Sequence, residues 1–388
     1  MNQKRTLLLL SGLPLERKPS FLRQLDFLAA ALRERGWSVF LGGPVFSDSV
    51  SQIGAAARGA RSAWGGEAAS RVYWSLANSV GNSRGFTEVL SRTDPGAVIA
   101  LGYPDQFPFL RGALQATLPP CYLWAQFSRP PKRALPEEAA TYVPLTDQTA
   151  AYLRSAGCSR IGPVIPHGVD ARLFAPLPDT QRRRLPSQPD GGGDLVIGTV
   201  ANNSRRKRLD LIVRSFALFC RQHPRSRLLI KTDRPVSLDG VDLPALIARE
   251  KVEDRVQLIL RELTDPQMAA LYNRMDMYLN LSEWEGFCIP VIEAMACALP
   301  IVSPPIQGPG EILPYRDILV PDGAFRREEG VELYQADPRA VCTVMKALAE
   351  DRSLRERLSG EGREAVLSRY DMRRVAEQWE RVLRMTRG

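Results

Sequence analysis

Histidine and paired cysteine are what this 388-residue chain has least of. Two histidines, His167 and His223, and six cysteines with no CxxC spacing leave little from which to build a zinc site. Scattered thiols of this kind suit a reducing, cytoplasmic setting better than a disulfide framework. No run approaches the roughly 20 apolar residues that cross a bilayer, so a membrane-spanning chain is not expected. The opening MNQKRTLLLLSGLP has the basic-then-apolar order of a leader, but its apolar run is short and no small-residue cleavage site follows. It reads instead as a first buried strand. No two aspartates are separated by a single residue, which removes the DxD pattern of paired metal carboxylates.

What is present is ordinary for a globular protein, with 44% hydrophobic and 24% charged residues, and the length makes two domains the natural expectation. The net charge is +9, of which +6 falls in residues 1–170. That excess suits anionic partners such as nucleotides, phospholipid surfaces or nucleic acid and does not choose among them. The basic cluster SRRKR at 204–208 opens an amphipathic helix with no aromatic-rich module beside it, so it reads as a solvated face and nucleic-acid binding is not expected.

Strand-like runs alternate with helical ones along the chain, the pattern of parallel α/β sheets. In the first half RTLLLLSG (5–12), WSVFLGG (37–43), AVIALG (97–102), CYLWAQF (121–127) and RIGPVIP (160–166) read as strands. Ser20 is placed to cap a helix carrying Phe21, Leu25, Leu28 and Leu32 at helical spacing, ended by Gly36. The proline- and glycine-rich stretch 174–194 reads as a connection. Alternation then restarts with LVIGTVA (195–201), a helix over about 207–223, and strands RLLIKT (227–232), VQLIL (256–260), MYLNLS (277–282) and IVSP (301–304). Beyond about 337 the pattern is helical and charged.

The stretch EWEGFCIPVIEAMACALPIVS (283–303) concentrates the chemistry. A loop at the carboxyl end of MYLNLS carries Glu285, and Pro290 suits the first turn of a helix, which puts Glu293 in that turn as well. Gly286 offers positive φ and close approach of a ligand to the backbone. A helix start favours a phosphate, whereas carboxylates beside a phosphate make better acceptors for neighbouring hydroxyls. The plainer account has both acids merely complementing the helix dipole, worth about 0.3–1 kcal/mol each.

EGFCIPVIEAMACALPIV resembles the E-x7-E segment of retaining nucleotide-sugar glycosyltransferases with the GT-B fold, in particular glycosyltransferase family 4. VIPHGVDARLF (164–174), KRLDLIVRSF (207–216) and QGPGEILPYRDILVPDG (307–323) match in family order. The resemblance covers about 160–325 in sequence and the first 150 residues in topology alone. It implies an α/β chain of two Rossmann-like domains facing a central cleft. These would be an acceptor-binding domain over 1–172, a linker at 173–194, a donor-binding domain over 195–370, and a C-terminal helix at about 371–388 that packs back on the first.

By the same resemblance Glu285 accepts from the donor sugar and Glu293 from the ribose. Backbone groups of Gly286, Phe287 and Cys288 line sugar and phosphate, and Lys207 takes the diphosphate. The family's second phosphate cation falls at Asn202 or Ala201 here, so Arg205 or Arg206 is its candidate replacement. The family's first-domain histidine has Gln126 as its nearest counterpart. Gly12, in SGLP, is expected near the donor phosphates or the acceptor. Lys231, at a strand end, is a further candidate for the phosphates or a surface residue, and His167 reads as structural rather than as a general base.

The implied activity is transfer of a sugar from a nucleoside diphosphate donor to a glycan, lipid-linked or small-molecule acceptor. No cofactor and no metal are expected, and the basic first half suits peripheral contact with an anionic membrane at its inner face. A nucleotide-sugar 2-epimerase or a non-catalytic sugar-nucleotide binder on the same architecture are the alternatives.

Overall fold

The computed structural model describes residues 5–12, 20–45, 71–75, 89–103, 106–107, 119–131, 140–178, 195–316, 320, 323–328 and 331–385. These fall into two compact units: Met1–Gly168 with Met372–Gly388, and Val169–Asp371. The chain passes between units at 168/169 and at 371/372, and those crossings lie side by side, because Val169 bridges Asp371 and its N–H donates to Tyr370 O at 2.9 Å.

The first unit holds a six-stranded parallel sheet of β1 (Thr6–Ser11), β2 (Ser38–Val45), β3 (Arg71–Ser75), β4 (Ala97–Gly102), β5 (Cys121–Ala125) and β6 (Thr141–Pro144). Its spatial order is β3-β2-β1-β4-β5-β6. Leu7 to Leu10 and Val98 to Leu101 are buried throughout, the near-continuous apolar run of a strand covered on both faces. Helix α1 (Ser20–Glu34) packs its Leu25, Leu28 and Leu32 inward and gives way at Gly36, whose φ is 83°. Helix α2 (Asp147–Ser155) starts at Thr146, whose hydroxyl caps Thr149 N–H at 3.0 Å.

One strand reading requires correction, and two strands are added. RIGPVIP forms no strand: Ile161 makes only an isolated bridge to Tyr142, since Gly162, Pro163 and Pro166 weaken or deny a ladder. The edge position belongs instead to TYVP, and β3 is a further strand that the sequence does not mark.

The second unit repeats the plan with β7 (Leu195–Val200), β8 (Ser226–Lys231), β9 (Val256–Ile259), β10 (Met277–Leu279) and β11 (Ile301–Val302), ordered β11-β10-β7-β8-β9 and all parallel. A 3₁₀ turn at Arg205–Lys207 precedes α3 (Leu209–Cys220), so the expected helix at 207 begins two residues later. Leu209, Ile212, Phe216 and Phe219 are its buried stripe. Helices α4 (Leu243–Glu250), α5 (Asp265–Tyr272), α6 (Ile289–Ala296) and the short α7 (Pro309–Ile312) follow. A hairpin of β12 (Gly323–Glu328) and β13 (Val331–Ala336) is an addition to the expected elements. Helices α8 (Pro338–Glu350) and α9 (Arg352–Ala365) complete the unit, and α10 (Met372–Met385) belongs to the first. The stretch 179–194 of the expected linker lies outside the described residues, whereas Phe174 is fully buried within the second unit.

Candidate active site in the second unit

Chain order reverses between β7 and β10, and ligands of open parallel sheets bind beyond the carboxyl ends at such a point. The segments following these two strands carry the residues the sequence singled out. After β7, Asn202 is exposed, and the 3₁₀ turn presents Arg205, Arg206 and the buried Lys207. After β10, residues 280–288 lead into α6.

The two segments are tied by backbone and by charge. Glu283 N–H donates to Arg206 O at 2.8 Å. Glu285, 4% exposed, ion-pairs through Oε1 with Lys207 Nζ, accepts from Ser282 Oγ at 2.7 Å, and accepts through Oε2 from Arg206 Nη1 at 2.8 Å. Burial alone would raise its pKa. The Lys207 and Arg206 charges, with the hydrogen bonds from Lys207 and Ser282, outweigh that and hold it at about 2. A buried anion at neutral pH is thus kept beside two cations at the switch point.

Arg206 also donates to Trp284 O at 3.3 Å. That second contact commits its guanidinium to the 284–285 segment. Arg205 is exposed, with its N–H directed to Asp239 O.

Glu293 is placed differently from the expectation. It is the fifth residue of α6 and so lies past the first turn, where the dipole argument has little force. Its Oε2 accepts from Tyr272 O–H at 2.7 Å, and both side chains are buried. Tyr272, at the end of α5, is a partner of this candidate residue that sequence reasoning misses. A lone tyrosine 21 positions away carries no local signal.

The positive φ expected of Gly286 falls on Cys288 instead, at φ 80° and ψ 73°. A non-glycine residue there is strained and persists only where its surroundings fix it. Cys288 is buried immediately before α6, and its thiol is pushed up to about 12 by burial, with Glu285 adding to the effect, so it is neutral. Phe287 O faces Gly308, where φ is 80° and a Cβ would sit 2.8 Å from that carbonyl. Gly286, Phe287 and Cys288 are therefore packed tightly between Glu285 and α6.

Glu283 is a second residue that sequence reasoning passes over. It is buried, accepts from Arg208 Nη1 at 3.0 Å and from Gln335 Nε2 at 3.3 Å, and its carbonyl accepts from Tyr334 N–H at 3.1 Å. Arg208 occupies a left-handed φ of 51° and also grips Asp210 at 3.0 and 3.1 Å. The pair locks both loops and the β12–β13 hairpin together.

Other candidates lie apart. Lys231, at the end of β8, donates to Thr232 O at 3.1 Å; its pKa is lowered by burial, against the pull of Asp233 and Glu262. His167 is fully buried in the first unit, edge-on to Trp124 at 5.0 Å, and burial lowers its pKa to about 3, so it is neutral and packed. Gly12 and Gln126 belong to the first unit, at the ends of β1 and β5. Among the described residues no group of three or more metal-type side chains converges, and no helix is long and apolar enough to cross a membrane.

Residues 181–365 match the family described as Glycosyl transferases group 1. The phosphatidylinositol N-acetylglucosaminyltransferase gpi3 subunit of Schizosaccharomyces pombe is 28% identical over 151 residues, which is 39% of this chain and 30% of that protein. The D-inositol 3-phosphate glycosyltransferase of Kineococcus radiotolerans is 30% identical over 199 residues, 48% of this chain and 43% of that protein. The chain therefore spans less than half the length of these relatives. The Anabaena protein HepE in complex with UDP superposes with a TM-score of 0.73 at 15% identity, covering 98% of this chain and 100% of that one. The chain has the α/β fold of the GT-B glycosyltransferases, and its match to Glycosyl transferases group 1 falls on the unit that carries Lys207, Glu285 and Glu293.

Proposed function

We propose that the protein is a retaining glycosyltransferase of family 4 type that takes a sugar from a nucleoside diphosphate donor. The observation that carries this reading is the buried Glu285 carboxylate held between Lys207 and Arg206 beside the switch point. A nucleoside diphosphate would draw Lys207 to its phosphates, and Glu285 would then accept from hydroxyls of the sugar. Glu293, oriented by Tyr272, is the acceptor for the ribose. Gly286, Phe287 and Cys288 would line the sugar and phosphate through their backbone.

Lys207 and the start of α6 stabilise the charge that develops on the departing diphosphate, a contribution that is often the largest in catalysis. The departing oxygen takes the acceptor's proton on the same face, so no separate general base is assigned. No metal is assigned either, because the sequence lacks the DxD pattern; retention of activity after chelation tests this. Relatives named for transfer to phosphatidylinositol and to inositol phosphate support an acceptor of glycan, lipid-linked or small-molecule type. The basic first half supports peripheral contact with an anionic membrane from the cytoplasm. Indifference of liposome binding to lipid charge would remove that contact.

Melting of the purified protein with UDP, GDP, ADP, TDP and CDP, without metal, is the test. One nucleotide at about 100 times its dissociation constant adds roughly 2.7 kcal/mol, and Lys207→Ala abolishes the shift. Glu285→Ala lowers transfer by on the order of 10²-fold or more with the fold intact. Near-normal transfer by that variant would overturn its role. Product analysis for glycoside against epimerised sugar nucleotide separates transfer from epimerisation.

A further inference from the structure

At the carboxyl edge of the first sheet, three neighbouring strands end together. β1 ends at Ser11 and Gly12, β4 at Gly102 and Tyr103, and β5 at Ala125 and Gln126. Chain order reverses between β1 and β4, so this unit has its own switch point.

Gln106 fills it. A Cβ on Gly12 would lie 2.4 Å from Gln106 Oε1, and one on Gly102 would lie 2.2 Å from the same atom. Glycine at both strand ends is what admits this side chain. The Gly12 N–H is engaged with Leu101 O at 3.2 Å, so Gly12 contributes space here rather than a phosphate-binding donor.

The carboxamide is oriented by a single bond, from Tyr103 N–H to Gln106 Oε1 at 2.7 Å. Because Oε1 accepts, Nε2 is the other end of the fork, and among the described residues it donates to nothing. Tyr103 sets its ring edge-on to Phe127 at 5.9 Å and its hydroxyl 3.4 Å from Ser128 Oγ. Gln126 Oε1 is buried with no hydrogen-bond partner among the described residues. Among the described residues, the side chains linked here are the Gln106 carboxamide, the Tyr103 and Ser128 hydroxyls and the Phe127 ring, none of them formally charged, and Gln126 follows the neighbouring strand β5.

We propose that Gln106 is a ligand-binding residue of the first unit, donating from Nε2 to a hydroxyl of a neutral polyhydroxylated ring, a sugar or cyclitol. Naming that ring the acceptor rests on the glycosyltransferase reading. Hydroxyls both give and accept hydrogen bonds, which carboxamides match on both counts, and the C–H faces of such rings lie against aromatic side chains. A phosphate would call for cations, and none of these described side chains is one.

Saturation-transfer NMR on the full chain tests it, with methyl α-glucoside, methyl α-galactoside, methyl α-mannoside, N-acetylglucosamine and myo-inositol as probes and inorganic phosphate as a competitor. At least one ring gives a signal that phosphate leaves unchanged and that falls at least tenfold in Gln106→Leu. Gln106→Glu keeps an oxygen for Tyr103 N–H and lacks the Nε2 donors, so it weakens the signal without repacking the turn. Absence of any signal in the unaltered protein, an equal signal in both variants, or displacement by phosphate would each overturn the proposal. Melting of the same samples with the five nucleoside diphosphates keeps the two readings apart. A nucleotide shift with a Gln106-insensitive ring signal fails this inference alone, and a Gln106-sensitive signal with no nucleotide shift fails the donor reading alone.

Discussion

At the scale of single residues, Glu285 decides most. Its carboxylate is held at about 2, against an ordinary value near 4.3, by cations that outweigh its burial. A folded-state pKa depressed in this way contributes stability above the unfolded value, and that stability is lost as pH falls from about 4.3 through about 2. Glu285→Gln leaves the buried Lys207 without its anion and should cost about 3 kcal/mol at neutral pH. The gap between variant and unaltered protein should narrow as pH drops toward 2, because protonation removes the same charge. Urea unfolding at stepped pH values measures this, and a gap independent of pH would show that Glu285 is not the titrating partner.

Glu285 and Glu293 are singled out in the sequence by a stretch whose spacing implies a loop and a helix start, and Lys207 by its resemblance to the family's diphosphate lysine. Tyr272 and Glu283 are not, because their roles come from side chains brought together across 21 and more positions. Gly286 misleads for a related reason. Which residue of a tight loop takes the left-handed turn depends on the packing of its neighbours, here Gly308 against Phe287.

At the scale of elements, the loop after β8 is fastened to the turn that carries Lys207 by Asn203. Its Nδ2 donates to Val241 O at 2.7 Å, its Oδ1 accepts from Val241 N–H at 3.0 Å, and its own N–H donates to Asp233 Oδ1 at 2.7 Å. Asn203→Ala leaves the part-buried N–H and C=O of Val241 unpaired and should destabilise the second unit by about 1 kcal/mol. It should also weaken nucleoside diphosphate binding, since the turn that holds Lys207 loses its brace. Calorimetric titration beside denaturant unfolding checks both effects, and unchanged affinity would confine Asn203 to stability.

The long apolar runs β1, β4 and β7 are readable within a residue or two, because a strand buried on both faces is apolar throughout. The short β3 and β6 and the hairpin escape notice for lack of such a run. β12 is exposed along its whole length and among the described residues pairs with β13 alone, so its sequence shows no core-facing alternation.

At the scale of the molecule, the chain's last helix completes its first unit. Helix α10 buries Trp379 against Tyr122 at 6.0 Å and Trp124 at 5.5 Å, both edge-on, and Arg35 clasps Glu380 at 2.5 Å. A chain ending at Asp371 should lose the fold of the first unit while the second still melts cooperatively and still answers to its nucleotide. Trp379→Ala, at about 3–5 kcal/mol, is the milder form of the same lesion. Scanning calorimetry with and without nucleotide separates the two units' transitions, and an unaltered profile in the truncated chain would refute the assignment of α10.

The sequence by itself determined the α/β class, the repeat of two parallel sheets and the strands buried on both faces, and it singled out the candidate acids, because periodicity, apolar runs and loop-helix spacing are local properties. Only the tertiary structure decided that Arg206 and Lys207 clasp Glu285, that Tyr272 orients Glu293, that Cys288 takes the strained turn and that Gln106 occupies the glycine gap between β1 and β4. Each of those is set by strand order and packing rather than by any local pattern.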